Sequence, residues 1–263
     1  MSSSSFTKSV IFLLFICLNI FSIQSFSQAK DYTVANAHAH NDYMHPVPFY
    51  TAYNAGFGSI EADVFPVNGV LLVAHSKNAI QEKNTLKHLY LDPLLKELKD
   101  NKNRKVKLLI DIKQNYKLNL QLLIKELESL KKYLFTYSDR SKPVTILISG
   151  ERPAPVEYKN YPAYIFFDDD LRLHHTPDEW KRVGLVSLSF ERYSSWNGSD
   201  GLSEQDENLL AHVIDSVHRA GKKIRFWAAP DNENSWRTQM KLGVDLIGTD
   251  KIEQLSEFLT KQQ

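Results

Sequence analysis

Four short segments carry side chains that bind cations or move protons: His38-Ala39-His40-Asn41, Glu61-Ala62-Asp63, His75 and Asp111-Ile112-Lys113. Each lies at the end of an apolar or alternating run of the kind that forms a strand. Strand side chains alternate faces with a period of two, so Glu61 and Asp63 share a face, as do Asp111 and Lys113. Three carboxylates meeting beside the lone Lys113 are costly to bury unless they are paired or bind a metal. A hard divalent cation with oxygen ligands would compensate them, and Asn41 can add a neutral oxygen. Ca²⁺ or Mg²⁺ suits this set better than zinc, which prefers His and Cys. Imidazole titrates near neutrality, so of His40 and His75 one can accept a proton while the other donates one. With Lys113 holding negative charge, the set can support metal-assisted cleavage at phosphorus. His38 shares a face with His40 and is the alternative for its role. The adjacent Asn41 favours His40 and leaves His38 to support the metal shell or pack in the interior.

These residues converge only if the strands that carry them are neighbours. Strand-like runs occur at Thr33–His38, Gly58–Val64, Val70–His75, Lys105–Lys113, Val144–Ser149, Ala163–Phe167, Gly184–Phe190, Lys223–Trp227 and Asp245–Thr249. Helical patterns between them are clearest at Asp92–Asp100, Leu118–Leu134, Ser203–Ala220, Asn234–Leu242 and Lys251–Lys261. Asp92-Pro93 reads as a cap followed by a first-turn proline, and Ala220-Gly221 and Leu242-Gly243 as helix stops. Strand–helix alternation implies a parallel sheet, and eight such units close a TIM (β/α)8 barrel. The ninth strand, Val70–His75, follows its predecessor through Asn68-Gly69 and reads as a short extra hairpin strand outside the barrel count. A doubly wound open sheet is the second choice, and no Gly-rich phosphate loop supports it. In a barrel the site lies at the C-terminal ends of the strands, where all four segments fall.

The composition narrows the function. The 263 residues include 32 Lys+Arg, 31 Asp+Glu and one Cys, so no broad basic face suggests nucleic acid and no disulfide scaffold is present. Residues 1–27 read as a secretory signal peptide: Lys8, the apolar run Val10–Phe21, then Ser25-Phe26-Ser27 as a small-x-small cleavage site. The run is short of the roughly 20 residues that span a bilayer. Its removal takes away Lys8 and Cys17 and leaves a thiol-free chain suited to a secreted or periplasmic life, with no stable membrane insertion. Residues 28–263 then form a single domain, since no linker, charge block or repeat interrupts them.

The order His40-Asn41-x-Tyr43, Glu61-x-Asp63, His75 and Asp111-x-Lys113 resembles the phosphatidylinositol-specific phospholipase C and glycerophosphodiester phosphodiesterase superfamily. Leu89-Tyr-Leu-Asp-Pro-Leu94 looks like its bacterial and fungal branch with an N-terminal His-Asn-Asp motif. Leu242-Gly-Val-Asp-Leu-Ile-Gly-Thr-Asp250 is similar to the last strand of glycerophosphodiesterases. The resemblance implies a TIM barrel and His40 and His75 as the general acid/base pair. It also implies Asn41, Glu61, Asp63 and Asp111 as metal ligands, with Lys113 near the phosphate. The expected substrate is a small-molecule or lipid phosphodiester. Glycerophosphodiesterases usually have Arg after the first His, where this chain has Asn41. Their third acid is often Glu, here Asp111.

Glu151-Arg152 after the fourth barrel strand and Trp227 after the seventh are further candidates for substrate contact. Asp168-Asp169-Asp170 is expected to be a solvated loop and His174-His175 to be exposed. Two other functions compete. His38-x-His40 also suits amidohydrolase-like metal hydrolases, but the later strand ends lack the further His ligands these need. A non-catalytic binding protein on the same scaffold is the other, and retention of both His and all three acids argues against it.

Overall fold

The computed structural model describes residues 31–100 and 103–261, in which nine strands alternate with helices. The proposed signal peptide lies outside the described residues. The strands are β1 (Ala37–Ala39), β2 (Ser59–Val67), β3 (Val70–Val73), β4 (Val106–Ile112), β5 (Val144–Gly150), β6 (Ile165–Asp169), β7 (Val183–Ser189), β8 (Ile224–Trp227) and β9 (Ile247–Thr249). The α-helices are α1 (Tyr50–Asn54), α2 (Asp92–Asp100), α3 (Tyr116–Glu126), α4 (Pro177–Lys181), α5 (Glu204–Arg219), α6 (Glu233–Leu242) and α7 (Ile252–Lys261).

The barrel path is parallel throughout and runs β8-β7-β6-β5-β4-β2-β1-β9. Its ends meet: Arg225 of β8 bridges Leu246, just before β9, and the Leu246 N–H donates to Ile224 O at 3.3 Å. Eight parallel strands thus wrap into a nearly closed TIM barrel. β3 lies off this path and pairs antiparallel with β2, the extra hairpin strand expected from Asn68-Gly69. Both turn residues have positive φ, 50° and 79°, the mirror-image turn whose twist suits a hairpin.

Local hydrogen bonding shifts several element boundaries. Residues Val34–Asn36 form a 3-10 turn, not the start of a strand. The Thr33 hydroxyl accepts the Ala35 N–H and the Asn36 side chain accepts the Thr33 N–H, which closes the turn. Asp92 is not a free helix cap: a π-helical turn, Lys87–Leu91, runs directly into α2, whose first residue is Asp92. Pro93 lacks an N–H and interrupts the regular ladder, and a wider turn ahead of it accommodates the gap. The expected helix over 118–134 begins earlier, at Tyr116 behind the Asn115 cap, and passes into 3-10 geometry at Leu127.

The barrel interior is layered. Leu109, Leu147, Phe166 and Leu185, from β4 to β7, pack with Leu246 into one apolar cluster. A larger cluster fills the space between the sheet and the helices. Two residues further along the same four strands stand Asp111, Ser149, Asp168 and Ser187. The period-two alternation that builds the apolar layer therefore also builds a polar floor one step above it. Leu147 is fully buried in the apolar layer, so Leu147→Ala should lower the unfolding free energy by about 2–5 kcal/mol in urea titrations. A loss under about 1 kcal/mol would mean that the layer does not support the floor.

Candidate active site

β1 delivers two histidines to different places. His38 points into the barrel and is 0% exposed, while His40 reaches the rim. Asn41 then turns the chain with φ of 48°. The next residue, Asp42, is buried away from the cavity, where its Oδ2 accepts the Phe49 N–H at 2.5 Å and the Tyr90 hydroxyl at 2.9 Å. It pins the loop that presents His40, Asn41 and Tyr43.

The acids come from adjacent strands in register. Asp63 of β2 stands opposite Asp111 of β4, and Glu61 lies two residues back on the same face. One carboxylate oxygen from each lies within 4.8 Å of those of the other two. Lys113 Nζ contacts Asp63 Oδ2 at 2.8 Å and Asp111 Oδ2 at 3.1 Å. Glu61 Oε2 meets Arg225 Nη1 at 3.0 Å. Two cations therefore serve three carboxylates, and one negative charge stays uncompensated. Asp63 Oδ1 is buried without a hydrogen-bond partner. An orphaned carboxylate oxygen in an all-oxygen cluster with excess negative charge fits a divalent cation.

The charges respond to these neighbours. Burial raises the Glu61 pKa, but the Arg225 guanidinium beside it outweighs burial, and the net shift is well below the ordinary carboxylate range. Asp63 goes the other way, raised by burial and by the adjacent Glu61. Tyr43 donates its single proton within a cluster: its hydroxyl lies 2.7 Å from Asp63 Oδ2, 2.7 Å from Asn41 Oδ1 and 3.3 Å from His75 Nδ1. Burial and Asp63 raise the phenol pKa and keep it protonated. The Asn41 oxygen thus reaches the acid cluster through Tyr43.

His40 Nδ1 lies 2.8 Å from Asp250 Oδ1. Burial lowers the His40 pKa, but the bond to Asp250 overrides it and the net shift is upward. With the Nδ1 proton given to Asp250, Nε2 is the basic nitrogen of the neutral ring. His75 is largely exposed, with Nδ1 3.5 Å from Asp63 Oδ2. Both rings line a cavity of about 470 Å³ that also includes Glu61, Asp111 and Lys113. Its opposite wall holds Ser149, Arg152, Asp168, Arg192 and Trp227. Glu151 lies outside this lining, where its carboxylate accepts the Asn115 N–H at 2.7 Å at the start of α3. His38 of β1 and His40 just after it have separate partners: His38 engages Ser59 and Glu61, whereas His40 engages Asp250.

Two expectations need correction. Asp168 and Asp169 are not solvated loop residues; each is 3% exposed at the end of β6. Asp168 Oδ2 accepts the Ser149 hydroxyl at 2.9 Å, and backbone pairing with β7 carries β6 beyond Phe167. His175 is not exposed but packs against Trp180, with Nε2 3.0 Å from Asp169 Oδ2. Reading the sequence also passed over Arg225 and Asp250. Period-two alternation from Trp227 would have turned Arg225 inward, and Asp250 ends the last strand as His40 ends the first.

Comparison with known proteins bears on the family and the fold. Residues 26–107 match the AIM6-like phosphodiesterase domain, and residues 223–253 match the glycerophosphoryl diester phosphodiesterase family. A glycerophosphodiester phosphodiesterase from Parabacteroides distasonis has the same fold, with a TM-score of 0.51 and 17% identity, over 82% of this chain and 89% of that one. The two family-model matches, together with the shared fold, support the glycerophosphodiester phosphodiesterase and phospholipase C-like superfamily and a phosphodiesterase-type domain. Within it, the chain is similar to fungal proteins called altered inheritance of mitochondria protein 6. It is 28% identical to the one from Eremothecium gossypii, over 86% of this chain and 69% of that protein. It is 27% identical to the homolog from Arthroderma benhamiae, over 82% and 81%. Neither name specifies a reaction.

Two outcomes test this geometry. Gly150 has φ of 68°, and a Cβ there would lie 2.0 Å from Asp111 Oδ1 and 2.4 Å from Ile112 O. Gly150→Ala should cost about 2 kcal/mol or more in urea unfolding, because backbone strain and overpacking add; an unchanged midpoint would refute the contact. Burial raises the Asp168 pKa to about 6, against the opposing pull of Arg225. The folded state thus holds this proton more tightly than the unfolded chain, and the associated stability is lost as pH rises towards about 6. The stability of Asp168→Asn relative to wild type should therefore grow from pH ~4 to pH ~7, by up to about 3 kcal/mol. A flat difference would show that Asp168 is ionised throughout.

Proposed function

We propose that this chain is a metal-dependent phosphodiesterase that cleaves a glycerophosphodiester or a phospholipid head-group phosphodiester. The observation that carries the reading is the convergence of Glu61, Asp63 and Asp111, with the orphaned Asp63 Oδ1, beside a cavity lined by Glu61, Asp111 and both histidines. Glu61, Asp63 and Asp111 would hold a divalent cation, which supplies Lewis-acid charge at a phosphoryl oxygen. Each acid already commits one oxygen to a protein partner: Glu61 Oε2 to Arg225, and Asp63 Oδ2 and Asp111 Oδ2 to Lys113. One remaining oxygen from each suits Mg²⁺, which keeps several waters, better than Ca²⁺, which takes six to eight ligands.

His40 takes the proton of the attacking hydroxyl at Nε2 while its Nδ1–H stays on Asp250. As the new P–O bond forms and the old one breaks, His75 gives its proton to the leaving oxygen. Lys113 and Arg152 offset charge on the phosphoryl oxygens. The attacking oxygen is water, or a neighbouring hydroxyl of the substrate, in which case a cyclic phosphate forms first. Residues 1–27 direct the chain to export. N-terminal sequencing of secreted or periplasmic material should begin at Gln28, and an intact Met1 there would refute cleavage. Among the described residues no helix is long and apolar enough to cross a membrane.

The decisive test is turnover of bis-p-nitrophenyl phosphate, glycerophosphodiesters and phosphatidylinositol, with EDTA and after refilling with Mg²⁺ or Ca²⁺. EDTA should abolish activity and Mg²⁺ should restore it. His40→Ala and Glu61→Ala should each lower kcat by roughly 10²–10⁴. Activity that survives chelation, or both substitutions, would sink the mechanism. No turnover of any diester would favour a binding protein on this scaffold.

A further inference from the structure

Arg225 is a charged residue in the barrel interior, 4% exposed. A buried guanidinium costs several kcal/mol unless its donors are matched. Here Nε and Nη1 are matched: Nε donates to Ser187 Oγ at 2.7 Å, and Nη1 lies 3.0 Å from Glu61 Oε2 and 2.6 Å from His38 Nε2. The last contact fixes the His38 tautomer. Arg225 has only protons to give, so His38 Nε2 must accept, and the ring proton resides on Nδ1, 2.8 Å from Ser59 Oγ. The 2.8 Å approach of His38 Nε2 to Glu61 Oε2 is then two acceptors that face the same Arg225 nitrogen. His38 is enclosed and cannot exchange a proton with the cavity.

We propose that Arg225 is the positioning residue of the cation site: its guanidinium reaches from β8 to clamp one oxygen of Glu61, with Ser187 fixing its Nε and His38 backing its Nη1, so that Glu61 can offer a single oriented oxygen to the ion. This rests on the reading of Glu61, Asp63 and Asp111 as divalent-cation ligands. A lysine could supply the charge but not the fork. Charge alone would act in the opposite sense, because a fixed cation beside a cation site weakens binding. Positioning and simple electrostatics therefore predict opposite signs when Arg225 is removed.

The test is Mg²⁺ and Mn²⁺ affinity of the metal-free full chain, by calorimetry without substrate, alongside Tm. Wild type is compared with Arg225→Lys, Arg225→Met and Ser187→Ala. Loss of an outer partner of a metal ligand typically costs 10–100-fold in affinity, and Arg225→Lys should weaken binding by about that factor. Ser187→Ala, which removes only the anchor of Nε, should weaken it several-fold and serves as the readout if the Arg225 variants do not fold. A residue that only supports the fold would lower Tm and leave Kd of the folded protein unchanged. Binding within twofold of wild type in Ser187→Ala and in any folded Arg225 variant, or tighter binding by Arg225→Met, would overturn the positioning role alone. No divalent-cation binding by wild type would overturn the metal reading, and this proposal with it.

Discussion

Three carboxylates within 4.8 Å of one another repel, by about 3 kcal/mol per pair at the effective dielectric of a protein surface, and more as water is removed. The neighbouring residues offset that repulsion in graded ways. Arg225 takes Glu61 and keeps it ionised. Lys113 is shared by Asp63 and Asp111. Tyr43, held protonated, lends a donor to Asp63. The compensation falls one charge short, and the shortfall sits beside a carboxylate oxygen with no partner. A fold that needed only stability would replace these groups with apolar ones, because buried ion pairs seldom outperform good packing.

The barrel allows such a cluster because of how its strands alternate. Leu109 and Asp111 are two residues apart on one strand, as are Leu147 and Ser149, Phe166 and Asp168, and Leu185 and Ser187. The lower member of each pair closes the apolar layer and the upper faces the cavity. A slip of one residue would put the acids among the helices and the outer apolar residues in the mouth, so packing fixes the register of the chemistry.

This rule explains what was legible in the sequence and what was not. Glu61, Asp63, Asp111 and Lys113 follow from local alternation in two strands, and the hairpin from the Asn68-Gly69 turn. Arg225 and Asp250 act on partners 164 and 210 residues away, across the closing side of the barrel, and no local pattern states those pairings. Asp168 looked like loop because three consecutive aspartates resemble a solvated turn. Its burial depends on Ser149 of the neighbouring strand, whose inward position matters only once β5 and β6 are paired. Sequence adjacency does not separate Glu151 from Arg152: Arg152 lines the cavity, while Glu151 accepts the Asn115 N–H at the start of α3.

The two walls of the cavity differ in charge state, and Arg225 stands between them. On one side it suppresses protonation of Glu61 in direct contact. On the other its field also favours the anion of Asp168, but burial wins and that carboxyl holds its proton to about pH 6. One wall is thus built from ionised oxygens suited to a cation. The other combines a weakly acidic carboxyl, serine hydroxyls and Arg152, groups that can exchange hydrogen bonds with a neutral hydroxyl or a phosphoryl oxygen. A phosphodiester with a hydroxylated alcohol presents both kinds of atom a few ångströms apart. That ordering follows from strand position alone: acids on β2 and β4, hydroxyls and the proton-holding carboxyl on β5, β6 and β7, and between them one arginine from β8.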